Sequence, residues 1–514
     1  MPTTELPGYR IVDGIRQAPG EGLRNDVAAF IGSTERGPLG VPVRIEGRKA
    51  FETVFGGPGT GTVPRAVAAY FANGGLVAWV LRAGRDGDVA RATAGFGDDG
   101  HGGWAAGGPA RLALPGNRLM VTASSPGRWA DGTTIQLTYR AYGVTGAPEL
   151  DIAIRYPGGG AVHAAGLSAA ELGAALTAGG MLTAAFTGPP VTPAPGASGP
   201  AQLSWAVVLG GGAEPVIDAN SLRAAILEQS LLGEVALVAV PGLPGMLDAP
   251  GQDDVLAELA RSAAACQDRL AVVSVPAAGT GGLVDWDRRA AVAVPDPAGR
   301  RAVAAYYPPL LAENLTGIGP DLYLETDLAG HVCGRIAELD RERGSGWSPA
   351  NTLVADAVDV AVPLPAATQE LALGLGMNLV RPRVGGGLEI WGAHTRDPGD
   401  GLQVAHRRLV HRIVRGVRRV VEPLVFDINN RVLWFTVARA VSSILLEAFR
   451  SGSLKGQTPA EAYRVRCDET TNPAESIDAG LVVCEVDFAP AAPMEFITLR
   501  LTLGAEGLLD VVEQ

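Results

Sequence analysis

The run Arg407-Arg408-Leu409-Val410-His411-Arg412-Ile413-Val414-Arg415-Gly416-Val417-Arg418-Arg419-Val420-Val421 has two faces when wound as a helix at about 100° per residue. Leu409, Val410, Ile413, Val414, Val417, Val420 and Val421 fall on one continuous arc. Arg407, Arg408, His411, Arg412, Arg415, Arg418 and Arg419 fall on the opposite arc, with no acid among them. Glu422-Pro423 ends the helix, because proline disfavours a helical residue before it. A second helix is predicted from about Arg431 to Arg450, with Asn429 or Asn430 as N-cap and Gly452 as stop. It is apolar almost all round; Thr436, Arg439, Ser443, Glu447 and Arg450 make a narrow polar strip, so it is expected to be buried on most sides. A nearly all-basic face beside a buried helix predicts a docking surface for an acidic partner.

Around these helices stand further segments in a fixed order. Gly376-Met377-Asn378-Leu379-Val380-Arg381 and Gly387-Leu388-Glu389-Ile390-Trp391-Gly392-Ala393-His394-Thr395 precede them. Gly456-Gln457-Thr458-Pro459-Ala460-Glu461-Ala462, Cys467-Asp468-Glu469-Thr470-Thr471-Asn472-Pro473 and Ile477-Asp478-Ala479-Gly480 follow, and a last segment contains Pro493-Met494-Glu495-Phe496-Ile497. In that order they resemble the C-terminal domain of contractile tail sheath proteins, found in contractile-tailed phages and phage-tail-like injection systems. A second block is similar to the N-terminal part of the same family: Ala28-Ala29-Phe30-Ile31-Gly32, Glu35-Arg36-Gly37-Pro38, Phe51 to Gly57 and Tyr70-Phe71-Ala72-Asn73-Gly74-Gly75. Tyr306-Tyr307-Pro308, Ala329 to Gly344 and Pro349-Ala350-Asn351 also look like sheath sequence.

Composition bounds the rest. A chain of 514 residues, 47% hydrophobic and 19% charged, buries large cores in two to four domains. A net charge of −12 argues against nucleic-acid binding. Cys266, Cys333, Cys467 and Cys484 are spaced like neither a zinc site nor a disulfide framework, which predicts assembly in a reducing cytoplasm. Met1 to Tyr9 lacks the basic and apolar regions of a signal peptide. No segment reaches roughly 18 uninterrupted apolar residues, so direct membrane insertion is not expected.

The predicted fold class is α/β and α+β multidomain. Residues 1–25 are too rich in Gly, Pro and charge to make a core and read as an N-terminal arm, with one strand candidate at Tyr9-Arg10-Ile11-Val12. Residues 26–110 open an α/β domain: strands at 27–32, 41–45 and 76–81, helices at 48–55 and 64–73. Residues 111–215 read as an inserted β-rich domain with strands at 119–123, 133–140 and 151–156. Residues 216–372 resume the α/β domain with a helix at 220–232, a buried strand at 234–240, a helix at 253–266 and a strand at 270–275. That β-α-β order predicts a partly parallel sheet. Residues 373–514 make the C-terminal domain, whose last strand alternates: Phe496, Thr498 and Arg500 on one face, Ile497, Leu499 and Leu501 on the other.

Signals for chemistry are weak. Gly56-Gly57-Pro58-Gly59-Thr60-Gly61 lacks the Lys-Ser/Thr of a phosphate-binding loop, and no Gly-x-Ser-x-Gly elbow occurs. His101, His163, His331, His394, His406 and His411 sit in no protease-like context; His331 opens a helix as a structural histidine. His406 and His411, five apart, lie on different helix faces and disfavour a shared metal. Asp468-Glu469 with Asp478 reads as a solvated turn rather than a cation site. No catalytic, cofactor-binding or metal residue is assigned, and no cofactor is expected.

The resemblance implies the work. It implies a central α/β layer domain whose shape is like that of subtilisin-like proteases without their chemistry, and a C-terminal sheath assembly domain with strand-exchanging terminal arms. It implies a structural, non-enzymatic subunit that stacks as six-fold helical rings around an inner tube and contracts to drive that tube through a target envelope. The implied partners are further copies of itself, the inner tube protein, and the baseplate and tail terminator or cap proteins, in a phage tail or phage-tail-like particle assembled in the cytoplasm. Arg408, Arg412, Arg415 and Arg419 are the expected inner-tube contacts. Tyr9, Arg10, Ile11 and Val12, with Phe496, Ile497, Thr498, Leu499, Arg500 and Leu501, are the expected exchanging strands, since a terminal strand with no evident hairpin partner leaves an exposed edge. The alternative is a subtilisin-like or degenerate hydrolase.

Overall fold

The computed structural model describes the chain except residues 1–23, 58–60, 86–92, 98–117, 141–148, 158, 169, 188–201, 315–319, 400–402, 423–427, 492–496, 504–508 and 514. It divides into two compact units, one holding the chain up to Thr34, Gly40–Ala83 and everything from Ile217, the other Glu35–Leu39 and Gly84–Val216.

The first unit is built on a nine-stranded sheet of β1 (Ala28–Gly32), β2 (Val43–Ile45), β3 (Ala78–Arg82), β4 (Leu237–Ala239), β5 (Leu270–Ser274), β6 (Val303–Tyr307), β7 (Leu353–Val354), β8 (Asn378–Pro382) and β9 (Leu388–Trp391). The strand order is β7-β9-β8-β6-β5-β4-β1-β3-β2. From β8 to β3 the pairs are parallel; β2 and the β7-β9 end are antiparallel. β1, β4, β5 and β6 are buried at every residue, as strands covered on both faces must be. Alternation divides their side chains between two cores: Ala28, Phe30, Leu237 and Val272 point one way, Ala29, Ile31, Val238 and Val273 the other.

Four helices make most of the cover: α1 (Thr62–Ala72), α2 (Ala219–Ser230), α3 (Ala249–Cys266) and α4 (Ala329–Glu342). Val67 and Val332 of α1 and α4 join the first core; Leu222 and Leu256 of α2 and α3 join the second. Asp218 caps α2, accepting from Ser221 N at 2.8 Å while Ser221 Oγ accepts from Asp218 N at 3.0 Å. Two glycines let α4 lie directly on α1. A Cβ on Gly330 would stand 2.1 Å from the Ala66 carbonyl oxygen, and one on Gly334 2.5 Å from that of Tyr70.

The same unit also holds α5 (Val404–Val421), α6 (Arg431–Arg450) and a four-stranded antiparallel meander of β10 (Tyr463–Arg466), β11 (Val482–Phe488), β12 (Ile497–Leu503) and β13 (Leu509–Glu513). Asn430 is the α6 N-cap, accepting from Val432 N at 2.9 Å and Leu433 N at 3.1 Å. Gly452, at φ +74°, follows the helix end.

The second unit is antiparallel β. One sheet has the order Gln202–Val208, Thr134–Arg140, Glu149–Arg155, Ala161–Leu167; the other runs Thr93–Gly97, Arg118–Ala123, Leu182–Thr187. They enclose a core that includes Leu119, Val121, Ile135, Leu137, Ile152 and Ile154.

Two expected boundaries move. The insertion starts at Gly84, not at 111, because Thr93–Gly97 pairs with Arg118–Ala123. The boundary at 373 falls inside the central sheet, because β8 extends its parallel run beyond β6 and β9 adds an antiparallel strand to β8.

Candidate functional site

The site grows from α5, which is covered on both arcs. Leu409, Val410, Ile413, Val414, Val417 and Val421 pack in a third core with Leu433, Trp434, Val437, Val441 and Leu445 of α6 and Val482, Cys484, Val486 and Phe488 of β11. Gly416 permits the approach: a Cβ there would lie 2.7 Å from Ile444 Cδ1.

Much of the basic arc, at Arg408, His411, Arg415 and Arg418, does not face solvent. It lies across the amino ends of β1, β4 and β5, where the loops entering the strands present carbonyl oxygens that need donors. Arg415, 7% exposed, donates to Gly233 O at 2.8 Å, Glu234 O at 3.1 Å, Arg24 O at 3.3 Å, Asp268 O at 3.1 Å and the Val235 carbonyl. Arg408, 1% exposed, donates to the Asn25 carbonyl and the Asp340 carboxylate of α4. Arg418 reaches Asp268 Oδ2 at 2.6 Å and the Cys266 carbonyl. Asp268 also accepts from Arg269 Nε at 3.0 Å. Burial raises the Asp268 carboxyl, but Arg269, Arg415 and Arg418 outweigh it and hold the group below the usual carboxylate range. Burial lowers the Arg408 and Arg415 guanidinium groups, which remain charged. His411, 1% exposed, accepts from Arg407 Nε at 3.1 Å through Nε2, while its Nδ1 has no hydrogen-bond partner among the described residues. Burial, then Arg407, Arg408, Arg415 and Arg269, push it well below its ordinary value.

This corrects the four-residue docking surface. Arg408 and Arg415 are interior residues, because a planar guanidinium with five donors satisfies several buried carbonyls at once. Arg412 is partly exposed and pairs with Glu447 of α6 at 2.6 Å; Arg419 is exposed. The acids that neutralise the arc come from Asp268 and Asp340, distant in sequence, so the helix itself carries no trace of them.

α6 is also less enclosed than its composition predicts. Val432 is 72% exposed and Phe435 68%, beside Ile428 at 79%. By length and composition α6 is long and apolar enough to cross a membrane. Its other face is part of the third core.

β12 has partners on both edges within its own chain. Seven residue pairs, from Val482 with Leu503 to Phe488 with Ile497, join it to β11, and five join it to β13. The expectation of a terminal strand without a hairpin partner is therefore corrected: Ile497, Thr498, Leu499, Arg500 and Leu501 lie inside an intrachain sheet. Tyr9, Arg10, Ile11, Val12 and Phe496 lie outside the described residues.

A cleft of about 320 Å³ opens at the carboxyl ends of β1, β4 and β5, lined by Thr62, Arg65, Gly242, Ser274 and Asp327 among others. Its chemistry is that of a structural acid. Asp327 accepts from Ser274 Oγ at 2.6 Å, Gly242 N at 2.8 Å and Ala329 N at 2.7 Å. His331 turns its Nε2 toward the Asp356 carbonyl at 3.2 Å, so the serine meets a carboxylate instead of the imidazole a hydrolytic triad needs. Asp468 accepts from Thr470 N at 2.8 Å in a closed turn. Among the described residues no group of three His, Cys, Asp or Glu is arranged to hold a metal ion.

Sequence reasoning missed Asn25, Asp268 and Asp340. Each stands in an ordinary loop or helix context, and only the folded chain brings them to α5.

No family model matches the chain. A tail sheath protein of Vibrio phage KVP40 is 25% identical over 178 residues, which is 34% of this chain and 26% of that protein, so the match spans about a quarter of the relative's length. The fold is shared more widely. The sheath tail protein of Desulfitobacterium hafniense superposes with a TM-score of 0.61 at 13% identity, covering 95% of this chain and 99% of the other. The sheath tail protein of Listeria innocua gives 0.61 at 13%, covering 96% and 97%. The helical sheath of the anti-feeding prophage in its contracted state gives 0.54 at 18%, covering 96% and 98%. The chain thus has a mixed α/β multidomain fold similar to those of sheath proteins, and over 178 residues it resembles a tail sheath protein in sequence.

Proposed function

We propose that this chain is the structural subunit of a contractile tail sheath, which polymerises as six-fold helical rings around an inner tube and shortens to drive that tube through a target envelope. The observation that carries the reading is coverage: the likeness to sheath proteins extends over 95% of the chain and 99% of one such structure, not over one portable domain. The baseplate, a terminator or cap and the inner tube are the partners of this reading, and the particle is a phage tail or phage-tail-like injection device assembled in the cytoplasm. No enzyme chemistry or cofactor enters it.

The α5 network supports a subunit that moves as one body. It joins the assembly helices to the amino ends of the central strands through buried charge-assisted bonds, which are stronger and more directional than neutral ones. Contraction then repacks contacts between subunits. A difference of about 1–3 kcal/mol per subunit, the ordinary scale of conformational coupling, becomes large when many copies switch together. The exposed stripe at Ile428, Val432 and Phe435 is apolar surface of the kind that association covers. Inner-tube contact in this reading falls to Arg412 and Arg419. Strand exchange would re-form the β11-β12 ladder between neighbours, with β12 supplied by another copy and the Tyr9–Val12 strand added to the same sheet.

Negative-stain microscopy of the expressed protein, alone and with its tube partner, tests the reading. Hollow cylinders are expected. A monomer in every condition, with hydrolytic activity lost on His331→Ala, would overturn it.

A further inference from the structure

Four cysteines are present and all are free thiols. Cys266 and Cys333 are each 0% exposed, Cys333 within the first core. The other two face each other. β10 and β11 pair in the register Tyr463 with Phe488 through Arg466 with Glu485, and the next position in that ladder sets Cys467 opposite Cys484. The Ala489 amide donates to the Ala462 carbonyl, which makes 462–489 a hydrogen-bonded pair. Alternation from there makes 467–484 a non-hydrogen-bonded pair, the type in which Cα atoms stand only about 4.5 Å apart. A disulfide spans Cα separations of about 4.4–6.8 Å. Both side chains point to the same face, since Cys484 is a member of the third core and Cys467 packs against it.

We propose that Cys467 and Cys484 form a redox-active pair that closes into an intrachain cross-strand disulfide on meeting an organic disulfide such as oxidised glutathione. Cys467 is the attacking group. It is partly exposed, while Cys484 is 2% exposed and beyond reach of a bulky reagent. The Cys484 thiol donates to the Cys467 sulfur, which lowers the Cys467 pKa; Asn472 Nδ2 lies 3.9 Å from the same sulfur. That hydrogen bond and burial push Cys484 up, so it stays protonated until needed. The loop is held in place for the reaction: Asn472 donates to Val483 O at 2.9 Å and accepts from Val483 N at 2.6 Å.

The steps balance. The Cys467 thiolate attacks one sulfur of the glutathione disulfide, breaking its S–S bond and expelling a glutathione thiolate. Cys484 loses its proton to that thiolate and attacks Cys467 Sγ, expelling the second glutathione as thiolate, which is protonated by water. Two protein thiols are oxidised and one glutathione disulfide is reduced. The new bond closes residues 468–483 into a loop and fixes β10 to the middle of the sheet. A particle leaving the reducing cytoplasm would acquire this staple after assembly.

Full-length protein is incubated with oxidised glutathione, alkylated and mapped by mass spectrometry. The denatured thiol count should fall by two from the initial four, with peptides joined at 467 and 484 inside one chain and Cys266 and Cys333 still reduced. Cys484→Ser should trap a stable glutathione adduct on Cys467, which the wild type does not retain. Retention of all thiols, or linkage between chains or through Cys266 or Cys333, would overturn the assignment. Should Cys484→Ser fail to fold, the wild-type map decides alone.

Discussion

Replacing Asp268 by Asn keeps the shape of the side chain and removes a carboxylate shared by Arg269, Arg415 and Arg418. The group is 1% exposed, with Arg269 Nε at 3.0 Å, Arg418 at 2.6 Å and Arg415 at 3.8 Å. None of these guanidinium groups can shed its charge or turn to water. Breaking a buried pair by removing one partner costs about 3–5 kcal/mol, because the remaining charge is left uncompensated. At a urea slope of about 3 kcal/mol/M the midpoint should fall by about 1–1.7 M. The comparison is Glu447→Gln, which removes the partner of Arg412. That pair is 20% and 60% exposed, and such pairs contribute less than about 1 kcal/mol. Urea titration followed by tryptophan fluorescence reads both, since Trp434 lies in the core that α5 helps to close. The acid side gives a second check. The folded-state pKa of Asp268 lies below its unfolded value, so its contribution is complete above about pH 3.9 and fades as pH falls through the folded value. The variant should lack that acid component. Equal midpoints for Asp268→Asn and Glu447→Gln would refute the account of α5 as an interior charged clamp.

Other predictions follow from the same geometry. His411 titrates below its unfolded value of about 6.5, so wild-type stability should decline as pH falls below that point, where the unfolded chain takes up the proton and the folded one resists it. His411→Gln should flatten the fall in urea midpoint between pH 7 and pH 5, and an unchanged slope would reject the role. Gly334→Ala forces a Cβ to 2.5 Å from the Tyr70 carbonyl oxygen and should cost about 1–3 kcal/mol, read as a lowered Tm; an unaltered Tm would mean that α4 and α1 separate freely. Charge reversal at Arg412 and Arg419 together should leave the subunit folded but weaken co-assembly with an acidic tube at low salt; normal extended particles would eliminate both residues as contacts. Deleting residues 1–14 should leave the far-UV circular dichroism unchanged and stop polymerisation, whereas full-length sheaths from the truncated chain would dismiss exchange of the N-terminal arm.

The sequence by itself determined the elements whose signal is local. The strands at 27–32 and 270–275, apolar but for Ser274, read as buried on both faces, and the βαβ order then makes the sheet partly parallel. The length of α6 and a cap at Asn429 or Asn430 were likewise legible, because capping is a matter of neighbouring residues; the structure puts the cap at Asn430. The pattern of α5 was read correctly as two-faced, but not where each face goes. A basic arc looks the same whether it meets water, a partner or the chain's own carbonyls. Only the tertiary structure set Arg408 and Arg415 against Asn25, Asp268 and Asp340, 68 to 383 residues away. The same holds for β12, whose alternation shows a strand but not its neighbours. Pairing is decided by hydrogen bonds between segments, here to β11 and β13 in one sheet, and those bonds leave no mark on the order of residues along either strand.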